Sequence, residues 1–216
     1  MIREQVRACI AETGIFPGIR VNAASDALYS AETLNDAGIS VAEITMTVPA
    51  AIDVIRELAV RFPNLVVGAG TVLDKETAQR CIDAGARFIT STGLVPEVIE
   101  ATIKGGVVII PGALTPSEII AAWKGGADFV KIFPAASLGG DLYIRSLKLP
   151  LPLVPLIAAG GVNQQTATNF ILAGATALGV GTELLPKDAV VKRQSHRIHE
   201  LARRFLGFVK EGRTLS

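Results

Sequence analysis

The segment 128–134 holds the side chain with the clearest chemical potential, a lysine within a short apolar run. Its β-branched and aromatic residues predict a strand that ends at Pro134. Alternate side chains of a strand share a face, so Phe129, Lys131 and Phe133 should point the same way. Apolar neighbours disfavour the ammonium form, and a neutral amine can attack a carbonyl carbon to form a Schiff base. A snorkelling lysine or a structural ion pair is the alternative.

Glu43 is the only carboxylate inside a predicted strand, the segment 40–46, where it shares a face with Thr45. A glutamate that points into a protein interior needs a partner, and Lys131 and Arg20 are the candidates. Such a carboxylate can serve as a general acid and base, because burial and nearby cations control its protonation. A purely structural ion pair would need the same residues.

Other polar groups occur where predicted strands end. An arginine after the first strand can grip a carboxylate in bidentate fashion, although it could equally bond backbone carbonyls at a rim. Glycines after the last two strands expose amides that can hold phosphate, with ordinary turns as the alternative. The candidate substrate-binding residues are Arg20, Thr47, Thr71, Phe133, Gly160, Gly161, Gly181 and Thr182.

Alternating strand-like and helix-like segments supply the frame for these groups. A short amphipathic helix is expected over 1–13, and Ser25, Asp74, Thr115 and Asn163 are expected to cap later helices. Pro49 is expected to open a helix, and the last helix is expected over 187–209. The predicted strands are 15–21, 40–46, 65–68, 87–90, 107–110, 128–134, 153–158 and 175–180.

Eight strand–helix units in 216 residues predict a (β/α)8 TIM barrel, a single domain over 1–216 that begins with the short helix. In such a barrel the carboxyl ends of all strands meet at one mouth, which would gather the candidate residues. An open, doubly wound sheet is the competing fold. It would require a nucleotide-binding fingerprint after the first strand, and the segment 17–22 contains none.

The composition excludes several classes of partner. Half of the residues are hydrophobic, 19% are charged and the net charge is +1, so neither nucleic acid nor a membrane is expected as partner. Prolines interrupt the most apolar stretch, 149–159, and the amino terminus lacks the apolar run of a signal peptide. Cys9 and Cys81 are expected to be reduced thiols of a cytoplasmic protein. No cluster of histidines and carboxylates at strand ends suggests a metal site.

Together these motifs resemble the 2-keto-3-deoxy-6-phosphogluconate (KDPG) and 4-hydroxy-2-oxoglutarate aldolase family, class I aldolases with a (β/α)8 barrel. The resemblance extends over nearly the whole chain. The motifs that carry it are Glu43-Ile44-Thr45, Val67-Gly68-Ala69-Gly70-Thr71-Val72, Pro111-Gly112 with Thr115-Pro116-Ser117-Glu118, Lys131-Ile132-Phe133-Pro134 and Gly160-Gly161-Val162.

The resemblance implies that Lys131 is the Schiff-base lysine and that Glu43 is the acid/base. It implies that Arg20 and Thr71 lie near the pyruvyl end of the substrate. It also implies a phosphate site at Gly160, Gly161, Gly181 and Thr182. The implied protein is a cofactor-free homotrimer that cleaves KDPG, a phosphosugar 2-keto acid, to pyruvate and glyceraldehyde 3-phosphate.

Three departures from the family pattern affect substrate choice more than reaction type. Thr47 stands where many members have arginine, and Thr92 replaces the proline of a Ser-Pro-Gly motif. Ala158-Ala159 replaces Pro-Thr before the double glycine, which removes a hydroxyl from the pyruvyl pocket.

Other functions therefore remain open from sequence. The same chemistry could act on 4-hydroxy-2-oxoglutarate or on an unphosphorylated keto-deoxy acid. A phosphosugar isomerase or epimerase on the same barrel would need acid/base residues or metal ligands that the sequence does not offer. A non-catalytic sugar-phosphate binder is a further alternative.

Overall fold

In the computed structural model, which describes residues 1–215, parallel strands alternate with helices. The strands are β1 (Ile15–Ile19), β2 (Val41–Thr45), β3 (Val66–Gly70), β4 (Phe88–Thr90), β5 (Val108–Ile110), β6 (Gly112–Ala113), β7 (Val130–Ile132), β8 (Leu156–Ala159) and β9 (Ala175–Val180). The helices are α1 (Arg3–Thr13), α2 (Ala24–Asp36), α3 (Ala51–Arg61), α4 (Lys75–Asp83), α5 (Pro96–Lys104), α6 (Pro116–Lys124), α7 (Asp141–Lys148), α8 (Ala167–Leu172), α9 (Lys187–Val191) and α10 (Ser195–Thr214), with a 3₁₀ turn at Ala136–Leu138.

The strands form a nearly closed parallel barrel. Hydrogen-bonded neighbours follow the order β5-β4-β3-β2-β1-β9-β8-β7-β6, and only Pro111 separates β5 from β6 in the chain. Proline cannot donate to a ladder, but the carbonyl of Pro111 accepts a hydrogen bond from the Lys131 amide at 2.9 Å. β5 and β6 therefore occupy one strand position. The predicted (β/α)8 barrel, with its short amino-terminal helix, is confirmed.

Side chains of each strand divide between two hydrophobic layers, as the pleat requires. Around β7, Phe129 packs with Phe16 inside the barrel. Val130 and Ile132 belong to the outer layer, which the surrounding helices cover. The alternation places Lys131 on the inward face, as the strand pattern predicted.

Two of the predicted helix caps are confirmed. The Asp74 carboxylate accepts a hydrogen bond from the Thr77 amide at 2.7 Å at the start of α4. Thr115 and Glu118 form a reciprocal capping box at the start of α6. Backbone and side-chain hydrogen bonds from Thr115 and Leu114 hold the pKa of Glu118 below its usual value. Both caps are local motifs, which explains why the sequence alone predicted them.

Two other helix starts are wrong by one or two residues. Ser25 lies inside α2, which begins at Ala24 without a side-chain cap. Pro49 precedes α3 because the next residue, Ala50, takes a left-handed conformation with φ of 53° and delays the helix. Neither shift moves a residue of the barrel strands.

Two predictions for the carboxyl-terminal third are wrong in a larger way. The Asn163 side chain accepts hydrogen bonds in a turn, and α8 begins only at Ala167. The helix predicted over 187–209 is divided into α9 and α10, because Arg193 has a φ of 54°. A long-range contact accompanies this break, since the Arg193 guanidinium pairs with Asp26 of α2 at 2.7 Å.

Neither cysteine is part of a disulfide, and Cys81 is fully buried. Burial raises the pKa of the Cys81 thiol to about 12, so this residue is not a nucleophile at neutral pH. Among residues 1–215, no helix has the length and apolar character needed to cross a membrane. The same residues contain no group of three potential metal ligands.

The amino-terminal end of the barrel is closed by α1. Val6 and Ile10 insert into the inner hydrophobic layer. Asp128, which is only 6% exposed, pairs with Arg3 at 2.7 Å and Arg7 at 3.3 Å. Its carboxylate also accepts a hydrogen bond from the Ile109 amide at 2.9 Å. The buried Asp128 carboxylate thus joins α1 to the strands, at the end of the barrel opposite the mouth.

We predict that Asp128→Asn lowers the free energy of unfolding by about 1–3 kcal/mol, because the variant loses the charge that accepts hydrogen bonds from Arg3 and forms an ion pair with Arg7. Asp53→Asn is the matched control, since Asp53 is 74% exposed and pairs with Arg56 on the surface. That change should stay within about 0.5 kcal/mol. Urea unfolding of both variants measures the difference, and equal losses would contradict the role of Asp128.

Candidate active site

A cavity of about 340 Å³ opens at the carboxyl ends of β1, β2, β7, β8 and β9. This is the end of the barrel at which the strand pattern placed the candidate residues. Its wall combines two ionisable residues at the base with glycine-rich loops at the rim. The lining residues are Phe16, Gly18, Arg20, Glu43, Thr45, Lys131, Phe133, Ala159, Gly160, Gly161, Val162, Asn163, Gly179, Val180, Gly181, Thr182 and Glu183.

Lys131 and Glu43 meet at the base of the cavity. Lys131 Nζ lies 3.3 Å from Glu43 Oε1, and the side chains are 15% and 4% exposed. The strand register explains the contact, since β7 and β2 both turn these residues inward from opposite sides of the barrel. Of the two partners considered for Glu43, the structure selects Lys131.

The surroundings of Lys131 differ from the sequence-based expectation in one respect. Its two aromatic neighbours on the inward face are unequal, because Phe129 is buried whereas Phe133 is 39% exposed at the mouth. The amine is therefore not enclosed by apolar side chains alone. The structure instead places a carboxylate oxygen, Glu43 Oε1, 3.3 Å from Lys131 Nζ.

Two glycines make room for Glu43. A Cβ atom at Gly70 would lie 2.4 Å from Glu43 Oε1, and one at Gly18 would lie 3.1 Å from Oε2. Contacts below about 3 Å cannot be accommodated without a shift of the carboxylate. Glycine at these positions on β3 and β1 therefore lets a long acidic side chain lie across the barrel interior.

The sequence analysis missed Thr90, which donates a hydrogen bond to Glu43 Oε1. Thr90 ends β4 and is completely buried, with Phe88 inside the barrel two residues earlier. The sequence contained one indication of this contact, a polar residue at the inward-facing end of a predicted strand. Because its partner lies 47 positions away, only the strand register could identify the contact.

Arg20, Thr71 and Thr47 form the side of the mouth next to β2 and β3. Arg20 lines the cavity and donates a hydrogen bond to Thr71 Oγ1 at 3.4 Å. Thr71 has a φ of 60°, which is rare for a β-branched residue. Neither Thr71 nor Thr47 lines the cavity itself. Thr47 lies behind Thr45, and their hydroxyl oxygens are 2.8 Å apart.

The loops after β8 and β9 present backbone to the cavity. Gly160 and Gly161 have φ of 84° and 82°, and a Cβ at Gly161 would lie 2.3 Å from the Ala136 Cβ. Only glycine fits these positions. Within residues 1–215, the amides of Gly161 and Thr182 donate to no protein acceptor, so they are available to an anion. Gly181 completes this edge, and the sequence analysis had named all four residues.

Two further lining residues extend this edge beyond the predicted set. Asn163 uses its side-chain oxygen to accept from the amides of Gln165 and Thr166, which leaves the amide nitrogen for the cavity. Glu183 is exposed at the rim and brings a negative charge next to Thr182. Because like charges repel, a carboxylate beside an anion site disfavours the binding of negatively charged ligands there.

We predict that Gly70→Ala lowers the free energy of unfolding by about 1–3 kcal/mol, because the new methyl group overlaps the Glu43 side chain. Gly207→Ala is the matched control, since nothing lies within 4 Å of a Cβ at this helical position. The control should raise stability by up to about 1 kcal/mol through helix propensity. Urea unfolding measures both, and a neutral Gly70→Ala would show that Glu43 does not need this space.

Comparison with known proteins connects this site to a family. The family model described as KDPG and KHG aldolase matches residues 6–201 of the chain. The KHG/KDPG aldolase of Escherichia coli K12 is 32% identical over 189 residues, which cover 88% of this chain and 89% of that protein. The 2-dehydro-3-deoxy-phosphogluconate aldolase of Pseudoalteromonas atlantica is 31% identical and covers 88% of both chains.

A solved structure gives the same result at the level of coordinates. The KDPG aldolase of Legionella pneumophila, crystallised with pyruvate captured as a covalent carbinolamine intermediate, superposes with a TM-score of 0.81. It is 31% identical and covers 92% of this chain and 96% of its own. The motif resemblance is thereby confirmed, and the chain belongs to the KDPG and KHG aldolase family.

Proposed function

We propose that this protein is a class I aldolase that cleaves KDPG to pyruvate and glyceraldehyde 3-phosphate through a Schiff base on Lys131. The observation that carries the proposal is the 3.3 Å contact between Lys131 Nζ and Glu43 Oε1 at the base of the cavity. A primary amine and a carboxylate at this distance form a nucleophile with its own acid/base. The pyruvate adduct of the Legionella pneumophila relative supports the same chemistry.

The first half of the reaction forms the covalent intermediate. Glu43 accepts a proton from the Lys131 ammonium, and the neutral amine attacks the C2 ketone of the substrate. The resulting carbinolamine loses its hydroxyl group as water after Glu43 returns a proton. The product is an iminium ion between Lys131 and C2, which is a strong electron sink.

The second half breaks the carbon–carbon bond. Glu43 removes the proton from the C4 hydroxyl, the C3–C4 bond breaks, and its electron pair moves through C3 and C2 to the iminium nitrogen. The aldehyde leaves, and Glu43 protonates C3 of the enamine to regenerate an iminium. Water then hydrolyses this iminium, which releases pyruvate and restores Lys131. No step needs a metal or a cofactor.

We propose that the cavity wall binds each end of the substrate at a separate site. Arg20, which donates a hydrogen bond to Thr71 Oγ1, would bind the carboxylate next to C2. The amides of Gly161 and Thr182 suit the phosphate at the far end. Gly160 and Gly181 keep these amides accessible, Phe133 forms an apolar wall at the mouth, and Thr47 acts through Thr45. Anchoring both ends would hold C2 against the amine.

The remaining parts of the proposal rest on the family resemblance. We propose a single-domain, cytoplasmic enzyme that assembles as a homotrimer. Light scattering of the purified protein would measure the mass of the assembly, and a monomer of 22.6 kDa would contradict this part alone.

Borohydride reduction in the presence of pyruvate should attach pyruvate to Lys131 and inactivate the enzyme. Lys148 is the competing amine, because burial lowers the pKa of its ammonium. Lys148 Nζ, however, donates to the carbonyls of Pro152 and Val154 and lies outside the cavity. Peptide mass mapping should find the adduct in wild type and in Lys148→Arg, and not in Lys131→Arg. An adduct at another lysine would contradict the assignment.

Glu43→Gln should reduce kcat for pyruvate release by about 10²- to 10⁴-fold, the usual loss when acid/base catalysis is removed. The amide keeps the size of the side chain but cannot accept and return protons. Glu57→Gln on the surface is a suitable control, since Glu57 is 46% exposed and pairs with Arg61, away from the cavity. Near-normal turnover by Glu43→Gln would exclude Glu43 from the mechanism.

The second candidate substrate is 4-hydroxy-2-oxoglutarate. It should be compared directly with KDPG, because Glu183 places a negative charge at the rim where phosphate is proposed to bind. We expect kcat/KM for KDPG to exceed that for its unphosphorylated analogue by at least about 100-fold, from two charge-assisted hydrogen bonds. Coupled pyruvate detection measures all three substrates. Faster cleavage of 4-hydroxy-2-oxoglutarate than of KDPG would overturn the assignment of the Gly161 and Thr182 amides to phosphate. It would leave the proposed Schiff base on Lys131 intact.

A further inference from the structure

We propose that Thr90 is a positioning residue whose hydroxyl fixes Glu43 Oε1 and thereby assigns proton transfer with substrate to Oε2. This inference rests on the proposed aldolase function, because it gives the two oxygens of the acid/base separate tasks.

The contacts of the carboxylate are unequally divided. Thr90 donates to Oε1, and Lys131 Nζ lies 3.3 Å from the same oxygen. Oε2 accepts no hydrogen bond from residues 1–215 and lies next to the open position above Gly18, where a Cβ atom would be 3.1 Å away. Gly18 and Glu43 both line the cavity. Oε2, the oxygen without a protein donor, is therefore the one that faces Gly18.

Thr90 is suited to this task because it is itself immobile. The side chain is completely buried, and its backbone carbonyl accepts a hydrogen bond from the Val72 amide at 3.0 Å. A threonine hydroxyl has one proton to donate, and here that proton goes to Glu43. A rigid neutral donor can orient a carboxylate before the substrate arrives, which is the arrangement that preorganised sites use.

The charged groups around Glu43 determine what removal of this hydroxyl would do. Lys131 on β7 is the only ion in hydrogen-bond contact with Glu43 among residues 1–215, while Arg20 after β1 and Glu183 after β9 line the same cavity. Without the Thr90 hydrogen bond, Lys131 would be the remaining donor to Oε1 among residues 1–215, and the orientation of the carboxylate would be less well fixed. We therefore expect kcat to fall, with little change in KM.

Thr90→Val tests the inference, because it replaces the hydroxyl with a methyl group of similar size. We expect kcat for KDPG cleavage to fall by about 10- to 100-fold, with KM changed less than about threefold. Thr90→Ser retains the donor and should recover most of kcat.

Thr102→Val is the control for loss of a buried threonine hydroxyl. Thr102 is equally buried, but its hydroxyl donates to the Val98 carbonyl within α5, away from the cavity. The stability of this variant can fall, but its kcat should not change. If Thr90→Val does not fold, Thr90→Ala against Thr90→Ser provides the same comparison of absent and present donor.

The outcomes separate this inference from the function on which it rests. No pyruvate from wild type and no borohydride adduct would defeat the aldolase proposal itself. An active wild type with an unchanged kcat in Thr90→Val would defeat only the role of Thr90. Equal losses in Thr90→Val and Thr90→Ser would also overturn it, because a hydroxyl would then not be what matters.

Discussion

The pairing of Lys131 with Glu43 is the interaction on which the rest of the structure depends. Removing two ions from water costs several kcal/mol each, and their attraction repays this only when further hydrogen bonds complete the site. The barrel meets that condition with a donor from β4 and with open space at two glycines on β1 and β3. Residues from three further strands thus support the ion pair that β2 and β7 contribute, which explains why the cavity lies at the barrel mouth and not between helices.

Chemistry and stability are assigned to opposite ends of the same strand. Asp128, before β7, pairs with arginines of α1 at the amino-terminal end of the barrel. Lys131, three residues later, faces the cavity. The intervening Phe129 fills the barrel between them. The salt bridges of Asp128 stabilise the closed end of the barrel. The fold therefore tolerates polar and strained groups at the mouth, such as Thr71 with its left-handed backbone.

The sequence predicted the features that depend on local pattern. Alternation placed Lys131 and Glu43 inside the barrel, and short motifs located the caps at Asp74 and Thr115. It could not predict contacts that depend on strand register, such as Thr90 with Glu43, nor the break at Arg193, which a contact with α2 accompanies.

The loop after β8 supports more than its own backbone. The amides of Ala135 and Ala136, just beyond the strand that carries Lys131, donate to the carbonyls of Ala159 and Gly160 at 2.8 and 3.0 Å. If Gly161 binds the distal end of a ligand as proposed, the bound group would contact the loop that is hydrogen-bonded to the segment after Lys131. A ligand that lacks this end would then lose alignment with the amine as well as affinity.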